Sequence, residues 1–163
     1  PAQRSLAERI LFMKLANALS ERGDLQSRLS ELQIRLNNNS KVQEGEAPAE
    51  QPEALFDELN IILTRLEELI KKINLTNSKT TVNGISITEQ LAHRDCLKER
   101  LRIMRQFLNN ASDIVDRYSP KEIKIQPTVS VAKLQKEVDK ISKELRQTDE
   151  SIQELNWTTE LME

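Results

Sequence analysis

The sequence predicts an all-α protein, a bundle of four long antiparallel, coiled-coil-like helices with a small β-hairpin between helices 2 and 3. Three observations carry this expectation. The chain is rich in Leu, Glu, Lys, Arg and Gln but has only 3 glycines in 163 residues, the composition of long amphipathic helices. Apolar residues recur in alternating three- and four-residue steps through four separate segments. Between the second and third of these, Asn83-Gly84 flanked by β-branched residues is a strong short hairpin signal.

The first helix is expected over about 5–37, on a seam of Leu11, Leu15, Ala18, Arg22, Leu25, Leu29, Leu32 and Leu36. Arg22 interrupts this seam and is the candidate for a register-setting polar residue. A polar loop, about 38–52, follows; a connection of this length is either a mobile linker or functional. The second helix, about 53–77, has an unbroken seam of Leu55, Leu59, Ile62, Leu66, Leu69 and Ile73. Phe56, Leu63 and Ile70 lie beside it and widen it, which predicts deeper burial than in a two-stranded zipper. Pro52 suits a first helical turn, and Glu53, Asp57 and Glu58 favour its positive end.

The hairpin is placed at about 79–87, and Ser86 with Glu89 has the spacing of a capping box that starts the third helix at Ile87. That helix, about 87–118, carries Ile87, Leu91, Leu97, Leu101, Met104, Leu108, Ala111, Val115 and Tyr118, and Ser119-Pro120 closes it. Residues 122–126 alternate like a short strand, an irregular loop being the other reading. The fourth helix, about 131–156, is capped by Ser130 and carries Val131, Leu134, Val138, Ile141, Leu145, Thr148, Ile152 and Leu155. A helix of about 26 residues is about 39 Å long, so all four can lie side by side within a single helical domain.

Composition excludes more chemistry than it suggests. The lone Cys96 rules out an internal disulfide framework and a multi-thiolate zinc site. His93, Asp95, Cys96 and Glu99 share a stretch of helix, but there is no second histidine or cysteine to complete a metal site. The expected reading packs Cys96 beside the seam and His93 at its edge. Gly23, Gly45 and Gly84 are scattered, so no phosphate loop exists, and Cys96 lacks the surroundings of a nucleophile. Paired carboxylates such as Glu67-Glu68 or Asp149-Glu150 read as solvated helix faces. No catalytic residue, cofactor or metal ligand is therefore nominated, and the chain is not expected to be an enzyme.

Charge is unevenly spread. Residues 44–68 carry eight acids against Arg65 alone, whereas Arg94, Lys98, Arg100, Arg102 and Arg105 crowd one stretch of helix three. Helix four adds Lys133, Lys136, Lys140, Lys143 and Arg146. Because bases alternate with acids and aromatics are few, complementary charge between helices is preferred over a nucleic-acid surface. The net charge of −2 and the absence of a run of about 20 apolar residues likewise speak against nucleic acid and a membrane. One Trp, one Tyr and three Phe cannot anchor a large monomeric core, so a homo-oligomer or a protein partner is expected to complete it. Candidate contact residues are Arg22, Tyr118, Ile123, Ile125 and Trp157, the last either folding back on a helix end or docking on a partner.

Several segments together resemble a known family. They are Met13-Lys14-Leu15, Lys41-Val42-Gln43-Glu44-Gly45-Glu46, Ile73-Asn74-Leu75-Thr76-Asn77, Asp116-Arg117-Tyr118-Ser119 and Asn156-Trp157-Thr158-Thr159-Glu160-Leu161. Shorter matches are Arg94-Asp95, Glu122-Ile123-Lys124, Pro127-Thr128-Val129 and Leu134-Gln135-Lys136. In combination they are similar to septicolysin and septicolysin-like proteins of bacteria, from Met13 onward. The resemblance implies an ordered 41–46 loop and, by its label, a membrane-active cytolysin; it supplies no catalytic residues. The residues themselves show no signal peptide or spanning pattern and favour a cytoplasmic scaffold or interaction module that self-associates. A third outline likeness, to the antiparallel coiled coil of seryl-tRNA synthetase, would imply a nucleic-acid-binding arm.

Overall fold

The computed structural model describes residues 13–112 and 126–163. Among them are four helices, α1 (Leu15–Asn38), α2 (Pro52–Lys79), α3 (Ile87–Ser112) and α4 (Val131–Thr158). Between α2 and α3 stands a two-stranded hairpin, β1 (Thr81–Val82) and β2 (Ile85–Ser86). The chain separates into two compact units, one reaching Thr81 and including Leu155–Glu163, the other Val82–Glu154.

The first unit is built on α1 packed antiparallel to α2. The direction follows from the cross-helix pairs: Arg65 of α2 meets Glu21 early in α1, while Glu58 meets Arg35 late in α1. Leu15, Ala18, Leu25 and Leu32 of α1 face Leu55, Ile62, Leu66, Leu69 and Ile73 of α2, all buried. Each such Leu or Ile withdrawn from water contributes about 1.5–3 kcal/mol before chain entropy is set against it. The same unit holds a short ladder between residues 13–15 and the segment after α4. Leu15 N–H donates to the Thr159 carbonyl at 3.0 Å, and Leu161 N–H to that of Met13 at 2.8 Å. Lys14 and Glu160 form the antiparallel bridge between them.

That ladder sets the start of α1. Lys14 is extended, at φ −75° and ψ 151°, so α1 starts at Leu15 and does not continue back through Lys14. Leu11 and the rest of the expected first turns lie outside the described residues.

In the second unit α3 runs antiparallel to α4. Leu97, Leu101, Leu108, Val138 and Ile141 form its buried cluster, with Met104, Val131, Leu134 and Leu145 packed around it. Arg100–Glu137 at 2.9 Å and His93–Glu144 at 3.0 Å join the two helices along their length. The bases of α3 therefore meet acids of α4, the complementary pairing that the sequence favours. Pairs this exposed contribute little energy, but they reward one register over its neighbours.

The local signals are realised closely. Asn83 and Gly84 adopt φ 53° and 80°, the left-handed pair that a two-residue hairpin turn requires. Ser86 N–H donates to the Glu89 carboxylate at 2.7 Å, and Glu89 N–H returns to the Ser86 hydroxyl at 3.2 Å, closing the capping box. Pro52 occupies the first turn of α2. The Ser130 hydroxyl accepts from Lys133 N–H at 3.4 Å.

Two packing expectations, for the flank of α2 and for Cys96, are corrected, and one of the two alternatives for Trp157 is removed. Phe56, Leu63 and Ile70 remain 54%, 42% and 38% exposed. They sit about 100° around α2 from Leu55, Ile62 and Leu69, and among the described residues one neighbouring helix, α1, buries only the latter stripe. Cys96 is exposed rather than packed beside the seam, because the buried face of α3 passes through Leu97 and Leu101. Trp157 lies within α4, which continues to Thr158, and is 64% exposed; it does not fold back on the helix end.

Candidate functional site

The feature of the first unit that packing leaves open is the second apolar stripe of α2. Phe56, Leu59, Leu63 and Ile70 follow alternating three-, four- and seven-residue intervals, so their side chains stack along one side of the helix. Next to the start of this stripe, α1 presents Leu29 and Leu36, half-buried. Together with Pro52, Phe56 and Leu59 they line an open groove of about 600 Å³, with Asn39 and Ser40 at its polar end. An apolar concavity continuous with an apolar helix face is a surface suited to receiving another helix.

The groove's polar end is held by a clasp. Asn39, only 8% exposed, donates from its side-chain amide to the Arg35 carbonyl at 2.9 Å. Its side-chain oxygen accepts the Glu50 N–H at 3.0 Å. Arg35 grips the Glu50 carboxylate through Nε and Nη2 and reaches Glu58 through Nη1 at 2.9 Å. These hydrogen bonds hold the Glu50 carboxyl below the usual carboxylate range and raise the Arg35 guanidinium. The loop 40–51 is thus closed by side-chain hydrogen bonds at both ends. Deeper along the pair, Arg65 grips Glu21 at 2.7 and 3.0 Å and lowers its carboxyl, chiefly by hydrogen bonding.

Of the residues nominated from sequence, Arg22 lies on α1, half-buried, and its Nε is enclosed without a hydrogen-bond partner among the described residues. Trp157 stands exposed on the last turn of α4. Tyr118, Ile123 and Ile125 lie outside the described residues, as does nearly all of the short 122–126 segment. The stripe on α2 shows in the sequence as a widened seam, a pattern shared by core and by open surface. The clasp leaves almost no mark in the sequence, because Arg35 and Glu50 are 15 residues apart across a loop; its one local sign is the run of Asn residues at 37–39.

Among the described residues no group of three or more His, Cys, Asp and Glu side chains could hold a metal ion. No described helix is long and apolar enough to cross a membrane.

The chain is similar to a solved protein from Corynebacterium diphtheriae, described as a functionally unknown conserved protein. The two are 39% identical, the match covers 93% of this chain and 99% of that one, and the TM-score is 0.85. No curated protein matches the chain. Residues 22–161, most of the 163-residue chain, match a family of unknown function, and the protein belongs to that family, DUF6847.

Proposed function

We propose that this protein is a cytoplasmic, non-catalytic helical scaffold or interaction module that self-associates. One observation carries the reading: Phe56, Leu63 and Ile70, with half-buried Leu59 and the adjoining groove, form apolar surface that the described residues leave exposed. Apolar faces of this kind mark protein contacts, and a chain with five aromatic residues gains core by association. The exposed indole of Trp157 is a further anchor for a partner. Light scattering on the purified protein tests the reading: an oligomer at micromolar concentration is expected, and a stable, fully folded monomer would sink it.

The resemblance to septicolysin-like proteins supports a second reading. The same exposed stripe, laid flat on a lipid interface, would make the protein membrane-active without spanning the bilayer. Dye-loaded liposomes and erythrocytes distinguish the two, since leakage belongs to the second reading and intact vesicles at high protein concentration dispose of it.

A further inference from the structure

The period and charge order of α2 together specify what covers its exposed face. Phe56, Leu59, Leu63 and Ile70 recur at three-, four- and seven-residue intervals along α2, beside Leu66 and Ile73, which keep the same period but are buried against α1. This is the spacing by which one helix accepts another along its length, knob into hole. The stripe from Phe56 to Ile70 is about 21 Å long, four turns of helix. Its occupant is therefore a helix of similar length, not a loop or a small ligand.

Charge then selects which helix. The first half of α2, residues 52–64, carries Glu53, Asp57 and Glu58 and no base. The second half, 65–79, carries Arg65, Lys71, Lys72 and Lys79 against Glu67 and Glu68. A helix that starts acidic and ends basic complements its own reverse and repels its own parallel copy.

We propose that the occupant is α2 of a second copy of this chain, running antiparallel about a two-fold axis beside Leu63. In this isologous contact Leu63 faces Leu63, and Phe56 of each copy faces Ile70 of the other. Glu53 and Lys71, 18 residues and five helical turns apart, lie on the same flank of the stripe, so Glu53 of one copy comes alongside Lys71 of the other. Ile70 of each copy enters the groove formed in the other by Leu36, Phe56 and Leu59. The assignment rests on the self-association proposed above and adds its face, direction and axis.

Site-directed crosslinking tests it on the full chain carrying Cys96→Ser, after light scattering has established whether the unmodified protein associates. A disulfide needs Cα atoms within about 7 Å. Leu63→Cys is expected to oxidise to a covalent dimer. Phe56→Cys alone is expected not to, whereas a mixture of Phe56→Cys and Ile70→Cys proteins is. Glu53→Lys or Lys71→Glu is expected to weaken the dimer roughly threefold to tenfold, and the double exchange to restore it. Circular dichroism confirms that each variant keeps its helices.

A monomeric unmodified protein overturns both self-association and this arrangement. An oligomer in which Phe56→Cys crosslinks to itself overturns only the antiparallel direction. An oligomer that no α2 cysteine crosslinks, and that instead dissociates on replacing the exposed Phe107 of α3 by Ser, overturns the choice of face.

Discussion

Near the end of α2, the fully buried hydroxyl of Thr76 accepts the backbone N–H of Met162 at 2.9 Å. The same hydroxyl donates to the Lys72 carbonyl at 2.7 Å, so both its hydrogen-bonding capacities are engaged. A threonine in an otherwise apolar seam thus receives the segment that follows α4. Thr76→Val keeps the shape but leaves the Met162 N–H without its acceptor, and is expected to cost about 1–3 kcal/mol. Thr76→Ser should retain most of the stability. Urea unfolding followed by helical circular dichroism measures both, and a Val variant as stable as the parent would show the contact to be dispensable.

The Asn39 clasp gives a second expectation. Asn39→Ala removes the acceptor for Glu50 N–H and the donor to the Arg35 carbonyl, and is expected to cost about 1–2 kcal/mol. The loop 40–51 should then be cut faster under limited proteolysis. Asn39→Asp keeps the acceptor but sets a second negative charge near Glu50, so its cleavage rate should fall between the other two. Equal rates for all three proteins would mean that the loop is fixed by something other than Asn39.

Acid should loosen the fold through its bonded carboxylates. Glu89 is held below the ordinary carboxylate range, mainly by the backbone N–H of Ser86 and then by its hydroxyl. Glu50 and Glu21 are lowered by their arginine partners. For a group lowered in the folded state, the unfolded chain binds the proton first, so stability rises with pH across that interval. The contribution is complete above the ordinary carboxylate range and is lost as pH falls through the depressed values. Thermal unfolding at a series of acidic pH values should show a falling melting temperature. Glu89→Gln should show a shallower fall than the parent, and parallel curves would remove Glu89 from the account.

Cys96 supplies a simple check on the face of α3. Because the thiol is exposed, a disulfide reagent should modify one equivalent under native conditions with helical content unchanged. Modification that occurs only in denaturant would return Cys96 to the core.

The fold was legible where its causes are local. The Ser86–Glu89 box, the Asn83-Gly84 turn and Pro52 each act within four residues, and each marks its boundary as expected. The seams of Leu55–Ile73 and Leu97–Leu108 were equally readable, since a heptad period is a property of one segment. A period does not say which of two adjacent stripes another helix will cover, and that is why the sequence alone does not separate Phe56, Leu63 and Ile70 from the core. Cys96 failed for the same reason: it adjoins Leu97, and one residue is enough to turn a side chain out of a seam. Contacts such as Thr76 with Met162, 86 residues apart, leave no periodic mark at all. The same holds for the start of α1, set by a ladder to Glu160 that nothing near Lys14 announces.

The ladder between residues 13–15 and 159–161 also has a consequence for the order of events on the ribosome. The second unit is one continuous stretch, Val82–Glu154, and its pairings become available as soon as α4 emerges. The first unit is interrupted: α1 and α2 are made early, yet the Leu15 N–H gains its acceptor, and the Thr76 hydroxyl its second partner, only from residues beyond 155. A nascent chain halted at Glu154 would carry a finished second unit beside a helical hairpin with one end unsealed, so the part translated first is the part completed last.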